Sequence, residues 1–325
     1  MHRRHLWRAA AGTLAWALGA GLALPAAAQS QPIKVIVGFA PGGSVDALAR
    51  LVAESLQSGL NRTAIVENRA GAGGRLAVEQ VKAAPPDGDT LLLAPQGPMT
   101  LFPYVFRNLR YDPVQDLVPV TRVASGDFAL TIGPMVPAKH MKGFRAWLAT
   151  AGDKAAYGSP GAGTIPHFIG VAFSRQIGVP MTHVPYRGSA LSMNDLAGGT
   201  LAMAVSPVTE ALELHKAGRV TIIATAGGAR STFVDGVPTL KELGIAVEVP
   251  SWFALYAPAA TPPATLDRLR QAVHVGLMAP AAKERLARLG LAPTPSSTPE
   301  LLAVQARERA MWEPVIKASG FTPGD

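Results

Sequence analysis

The chain contains no cysteine, which removes disulfides, thiolate metal sites, iron–sulfur clusters and thiol nucleophiles together. Beyond residue 28 it also lacks the uninterrupted apolar run of about 18 residues that a membrane-spanning helix needs. The histidines past that point, His140, His167, His183, His215 and His274, include no pair at the spacing of a metal-binding helix. Gly71-Ala72-Gly73-Gly74 follows a strand-like run, but Leu76 stands where a dinucleotide fingerprint requires its third glycine. No glycine-rich turn ends in the Gly-Lys-Ser/Thr of a phosphate loop, and there is no G-x-S-x-G elbow. Nothing favours a Ser–His–Asp set assembled from distant positions. The expectation is a protein without cofactor, metal or chemistry of its own.

Charge excludes a further class. The net +8 becomes +5 once Arg3, Arg4 and Arg8 are set aside, and the excess is dispersed among Arg62, Arg69, Arg75, Arg107, Arg110, Arg187 and the C-terminal segments. A nucleic-acid surface needs a concentrated basic stripe, so no nucleic-acid partner is expected. Those three arginines, the apolar Leu14 to Leu24 and the small residues Ala26-Ala27-Ala28 have the form of an export leader covering residues 1–28. A Sec leader needs only these features, while Arg3-Arg4 leaves a twin-arginine route open. Either route leads out of the cytoplasm, to the periplasm in a Gram-negative cell.

What is present is a duplicated pattern. Pro41-Gly42-Gly43-Ser44 and Gly158-Ser159-Pro160-Gly161-Ala162-Gly163-Thr164 each follow an apolar run and open an amphipathic one. A glycine-rich turn brings backbone N–H groups close to a ligand, and the helix behind it adds unpaired donors and a positive dipole end; both suit a carboxylate or phosphate. One cradle in each half suggests an anionic solute gripped from two sides.

The order of elements agrees. Ile33 to Val37 reads as a buried strand, Ala47, Leu48, Leu51, Val52 and Leu56 recur at helical spacing, and strands at Ala64–Val66 and Leu91–Leu93 flank a helix from Leu76 to Ala83. The second half repeats the scheme, with strands ending at Tyr157 and near His183, Met203 and Ile223. Alternating strands and helices imply an α/β fold with two parallel-type sheets. About 297 residues after the leader suit two domains. Two extended segments, Leu117 to Ile132 and Trp252 to Ala257, would join them as a two-strand hinge, and the helical tail would return to the first. The expected division is 29–125 with 256–325 as a discontinuous domain 1, and 126–255 as domain 2.

Pro41-Gly42-Gly43-Ser44-Val45-Asp46, Val66 to Gly74, Pro86-Asp87-Gly88, Gly158 to Thr164 with His167, and Val184-Pro185-Tyr186-Arg187-Gly188 occur in one order along the chain. In this the sequence resembles the extracytoplasmic solute-binding receptors of tripartite tricarboxylate transporters, the Bug family. It departs from the family pattern at Ala70, Asp89 and Ala254, none of which removes a backbone donor from a cradle. The resemblance implies a two-domain, Venus-flytrap periplasmic binding protein of type II. Its βα loops would hold a small organic acid or amino acid, and it would deliver this solute, as a monomer, to membrane permease subunits. An exported hydrolase or isomerase using the same cleft, and a ligand sensor for a membrane signalling partner, are the competing readings.

The residues expected to meet the solute follow from the two turns. Gly42, Gly43 and Ser44 form the first cradle; Ser159, Gly161, Gly163 and Thr164 form the second, with Thr164 as helix N-cap. Asp46 either caps back onto its own helix or pairs with an amino group on the solute. His167 orients the second loop or packs. Phe39, Tyr186 and Trp252-Phe253 sit at strand ends where rings would sandwich a carbon skeleton, and Gln96 and Ser206 follow strands within reach of a ligand oxygen. Arg187 is set aside as a carboxylate clamp, since backbone donors already supply the anion site.

Overall fold

The computed structural model describes residues 31–319 and 321, and the expected leader over residues 1–28 lies outside them. The first half runs β1 (Ile33–Val37), α1 (Ser44–Leu60), β2 (Ala64–Asn68), α2 (Arg75–Lys82), β3 (Thr90–Pro95) and two single-turn helices, α3 (Gly97–Thr100) and α4 (Phe102–Val105). A long strand, β4 (Leu117–Ile132), leads to α5 (Met141–Leu148), β5 (Ala156–Ser159), α6 (Ile165–Ile177), β6 (Thr182–Pro185), α7 (Ser189–Ala197), β7 (Met203–Pro207), α8 (Val208–Lys216) and β8 (Thr221–Thr225). The chain closes with β9 (Pro250–Pro258), α9 (Pro263–Met278), α10 (Pro280–Arg288), β10 (Ala292–Pro293) and α11 (Thr298–Ser319).

Parallel pairing holds in two wings, β2-β1-β3 and β7-β5-β6. Between them β9 and β4 run antiparallel to their neighbours, so the order is β2-β1-β3-β9-β4-β7-β5-β6 along one path. β4 spans the residues the sequence marks as the first connecting segment, and it changes partner midway. Leu117 to Asp127 pair with β9, whereas Phe128 to Ile132 pair with β7 and β8. The return crossing occurs at the same level, because Val249 N–H bonds Ala226 O at 2.7 Å and the next residue, Pro250, opens β9 opposite Asp127.

Strand periodicity explains how the first wing is covered. Ile33, Val35, Val37, Leu91 and Leu93 enter one core with α1 and α9, whereas Ile36 and Leu92, one residue out of phase, enter another with α2, Trp252 and Tyr256. Among the tail helices, α9 and α10 cover the first wing. α11 does more. It starts with Leu301 in the first wing's core, holds β9 through Glu308 to Trp252 Nε1 (2.6 Å) and Gln305 to the Tyr256 hydroxyl (2.7 Å), and ends with Trp312 and Ile316 in the core around α6. Leu101, Phe102 and Val105 join that same core. Packing therefore links the wings as well as the two strand crossings. Among the described residues no helix is long and apolar enough to cross a membrane.

Candidate functional site

The first turn runs from the end of β1 into α1. Gly42 takes φ +90°, which favours glycine, and Gly43 caps α1 in extended conformation with no side-chain bond. The N–H groups of Gly43, Ser44 and Val45 have no partner among the described residues, as the first turn of a helix dictates. A Cβ built on Gly42 or Gly43 would meet nothing within 4 Å, so the backbone of the turn is open at these two residues.

Asp46 does not share that opening. It is 4% exposed and its carboxylate is filled: Oδ2 accepts the Gly42 N–H (3.1 Å) and Arg50 Nε (3.0 Å), and Oδ1 accepts Arg50 Nη2 (3.2 Å) and Asn68 Nδ2 (2.9 Å). Burial pushes Asp46 up, but the bonds from Arg50, Asn68 and Gly42 outweigh it and hold the carboxyl below its ordinary value. Of its two expected roles the back-capping one is realised. It also removes the Gly42 N–H from the donors a ligand would find. Gly43 has a φ of −82° that any residue tolerates and nothing near its Cβ. A Gly43→Val variant should therefore fold with an unchanged Tm while losing at least about tenfold in affinity for a solute held by these donors, because the branched side chain would stand over them. Calorimetric titration beside a melting curve checks both halves.

The second turn is more elaborate. Ser159 Oγ sits 2.7 Å from His183 Nε2, donates to Gly161 O (3.0 Å) and receives the Gly161 N–H (3.3 Å). Gly163, at φ +72°, gives its N–H to His167 Nδ1 (3.1 Å). The two imidazoles stack, with centroids 3.9 Å apart and planes 18° from parallel. Burial lowers His167 to about 4; burial first, then the neighbouring His167, lowers His183 to about 3. His167 thus orients the loop and packs at once. Thr164 occupies the N-cap position, but its hydroxyl donates to Gly161 O (2.7 Å) instead of capping α6, so it braces the turn. The N–H groups of Ala162, Thr164 and Ile165 remain without a partner among the described residues.

Other expected contacts are committed elsewhere. Gln96 is 1% exposed; its Oε1 receives the Trp252 N–H (2.7 Å) and its Nε2 donates to Pro250 O (2.8 Å), so the amide staples the end of β3 to β9 and is buried there. Ser206 is fully buried and donates to Pro207 O (3.1 Å). Trp252 and Phe253 lie in the core on opposite faces of β9, so neither ring is free to sandwich a solute. Tyr186 is half-buried and its hydroxyl donates to Asp195 (2.8 Å); burial and then that carboxylate push it up to about 12. Phe39 is half-buried, with its ring 3.5 Å from the Cβ position of Gly74.

Three features escaped the sequence reading. α4 wedges between two glycine turns: Phe102 lies 3.3 Å from the Cβ position of Gly73, and Val105 Cγ1 would overlap a Cβ on Gly163. Arg75 lies 3.8 Å above the Phe106 ring, an attractive cation–π arrangement. Ser44 Oγ donates at 2.9 Å to Glu210 in the first turn of α8, 166 residues away. Among the described residues, two of the cavities lie in the second half. One of about 530 Å³ lies between Ile132–Gly143 and Gly218–Thr221, and one of about 390 Å³ lies behind the second turn against Tyr157, His167 and His183; neither reaches Pro41 to Ser44.

The chain has clear relatives among known proteins. Residues 48–321 match the family model described as the tripartite tricarboxylate transporter family receptor. Protein BugT of Bordetella pertussis is 31% identical over 306 residues, covering 93% of this chain and 94% of its own. Among solved structures, Rpa4515 of R. palustris with adipate superposes with a TM-score of 0.85 at 28% identity, over 90% of this chain and 98% of that one. MatC from Rhodopseudomonas palustris with bound malate gives 0.78 at 28% identity, over 88% and 98%.

Proposed function

Because the chain belongs to the tripartite tricarboxylate transporter receptor family, a family of periplasmic solute-binding proteins and not of enzymes, we propose that it captures a small carboxylate-bearing solute and presents it to the membrane subunits of such a transporter. The observation that carries this reading is the pair of donor sets: unpartnered N–H groups at Gly43, Ser44 and Val45 ahead of α1, and at Ala162, Thr164 and Ile165 ahead of α6. Donors fixed by helix geometry meet a carboxylate without reorganising, and the dipoles behind them favour its charge. Phe39 and Tyr186 would flank the carbon skeleton. The protein is exported to the periplasm by its leader and acts there as a monomer.

Two lobes would close on the solute about the level where both strands change partner. The lobe boundary then falls at Asp127/Phe128 on β4 and at Val249/Pro250 on the return. The second position is six residues earlier than the sequence division, since β9 pairs with β3 and β4 along its length. Asp127 stands at this junction, pushed up by burial, with Ser231 partly opposing.

Thermal-shift screening of the mature chain against organic acids and amino acids tests the reading. At a hundredfold excess over Kd a solute that binds only the folded form adds about 2.7 kcal/mol, a rise of roughly 5 °C or more in a chain of this size. A panel of mono-, di- and tricarboxylates and amino acids that leaves Tm unmoved would overturn it.

A further inference from the structure

A carboxylate belonging to the protein already stands at the first turn. Glu210 Oε1 accepts from Ser44 Oγ, and Glu210 has no other hydrogen-bond partner and no ion pair among the described residues. The contrast with Asp46 is informative. The acid of the turn itself is buried and neutralised by Arg50, Asn68 and Gly42, whereas Glu210 arrives from α8 half-buried, with its second oxygen unclaimed and no cation beside it. Among the described residues its one hydrogen-bond partner is the Ser44 hydroxyl, and it sits in the first turn of α8 beside the first residue of α1, where both helix dipoles are positive.

That placement restricts what enters. A solute carboxylate brought to Gly43 and Ser44 would lie beside a second negative charge in a partly desolvated site, which is repulsive. A cationic donor at the same point is attracted and finds the free oxygen of Glu210. No acid bonds to the turn ahead of α6: among the described residues Ser159, Gly161, Gly163 and Thr164 bond only to one another, to His167 and His183, and to main chain. We propose that Glu210 is a specificity-determining residue that selects a zwitterion, an amino acid or amino-carboxylate whose carboxylate meets the α6 turn and whose ammonium meets Glu210. This inference rests on the carboxylate reading above and narrows it.

The test uses the mature full-length chain and solutes matched in length, one bearing two carboxylates and its partner a carboxylate and an amine, such as adipate with 6-aminohexanoate and succinate with β-alanine, together with the common α-amino acids. Calorimetry on the wild type is expected to favour the amino member of at least one pair by about tenfold or more, and Glu210→Gln to shrink that ratio by at least about tenfold while the unliganded Tm stays within about 2 °C. Preference for the diacid, or a ratio that Glu210→Gln leaves unchanged, overturns the assignment of Glu210 while leaving the carboxylate reading intact. Glu210→Ala separates charge from shape: it should match Glu210→Gln in the ratio, and a ratio lost only in Glu210→Ala would make the residue a spacer and overturn the proposal. If no solute of either kind binds, the carboxylate reading fails and this inference falls with it.

Discussion

Replacing Gly163 with alanine is expected to lower Tm by roughly 3–10 °C, and replacing it with valine by more, with solute binding lost in both. Two independent penalties meet at this position. At φ +72° any L side chain is strained by about 1–2 kcal/mol. The new Cβ also overlaps Val105 Cγ1 on α4 and comes within 3.7 Å of the Phe321 ring, an overpacking cost of about 1–3 kcal/mol in a buried position. Relief of the clash by moving the loop breaks the 3.1 Å bond from Gly163 to His167 and with it the second cradle. A second substitution, Val105→Ala, should restore the steric part and leave the backbone part, so the double variant recovers about half the loss. Melting curves for both single variants and the pair settle the partition. Full additivity would show that Val105 and Gly163 do not press on one another.

The features that were legible in the sequence are those with a local cause. Ile33 to Val37 and Leu91 to Leu93 are β-branched or leucine runs bounded by turn residues, and they are strands; the continuous run from Leu117 to Ile132 forms β4 with the expected ends. Both glycine turns open helices because Gly42 and Gly163 supply the positive φ that the chain needs there. What stayed hidden depends on partners far away in the chain. Gln96 follows a strand as a ligand residue would, yet its buried amide bonds Pro250 and Trp252, more than 150 residues on. Asp46 was ambiguous until Asn68 and Arg50 both reached it. α3 and α4 are single turns of four residues each, too short to carry a period, and α4 is the piece that touches the second cradle. α11 has no single apolar face because it crosses from the core of one wing to that of the other. Glu210 lies four residues beyond Ser206, the last residue of the second half read as a ligand contact, and only the fold brings it to Ser44.

The second large effect concerns acid. His167 accepts a main-chain N–H at Nδ1, so its proton is on Nε2, and protonating Nδ1 would set two N–H groups against each other. His183 lies 3.9 Å away in a stack, so a charge on either ring disfavours a charge on the other. Tyr157 and Arg175 are the other titratable groups lining the cavity behind them. Both histidines have folded-state values near 4 and 3, below the ordinary 6.5. Between those limits the unfolded chain takes up protons that the native one refuses. Their contribution is complete above about pH 6.5 and drains away as pH falls toward 4, on the order of 3 kcal/mol for His167 alone. Glu308 runs the other way: burial, only partly opposed by the bonds from Trp252 and Thr100, pushes it up to about 7, so the native state gains stability as pH falls from 7 toward 4.5. The wild-type profile sums opposing slopes, and a difference measurement isolates the pair. Asparagine at position 167 offers an oxygen near the place of Nδ1 and does not titrate. His167→Asn should therefore lose less Tm than the wild type between pH 7 and pH 4 and keep its solute affinity further into acid, because Gly163 stays held. Parallel pH profiles of Tm and Kd for the two proteins would rule out this role of His167 in holding the second cradle.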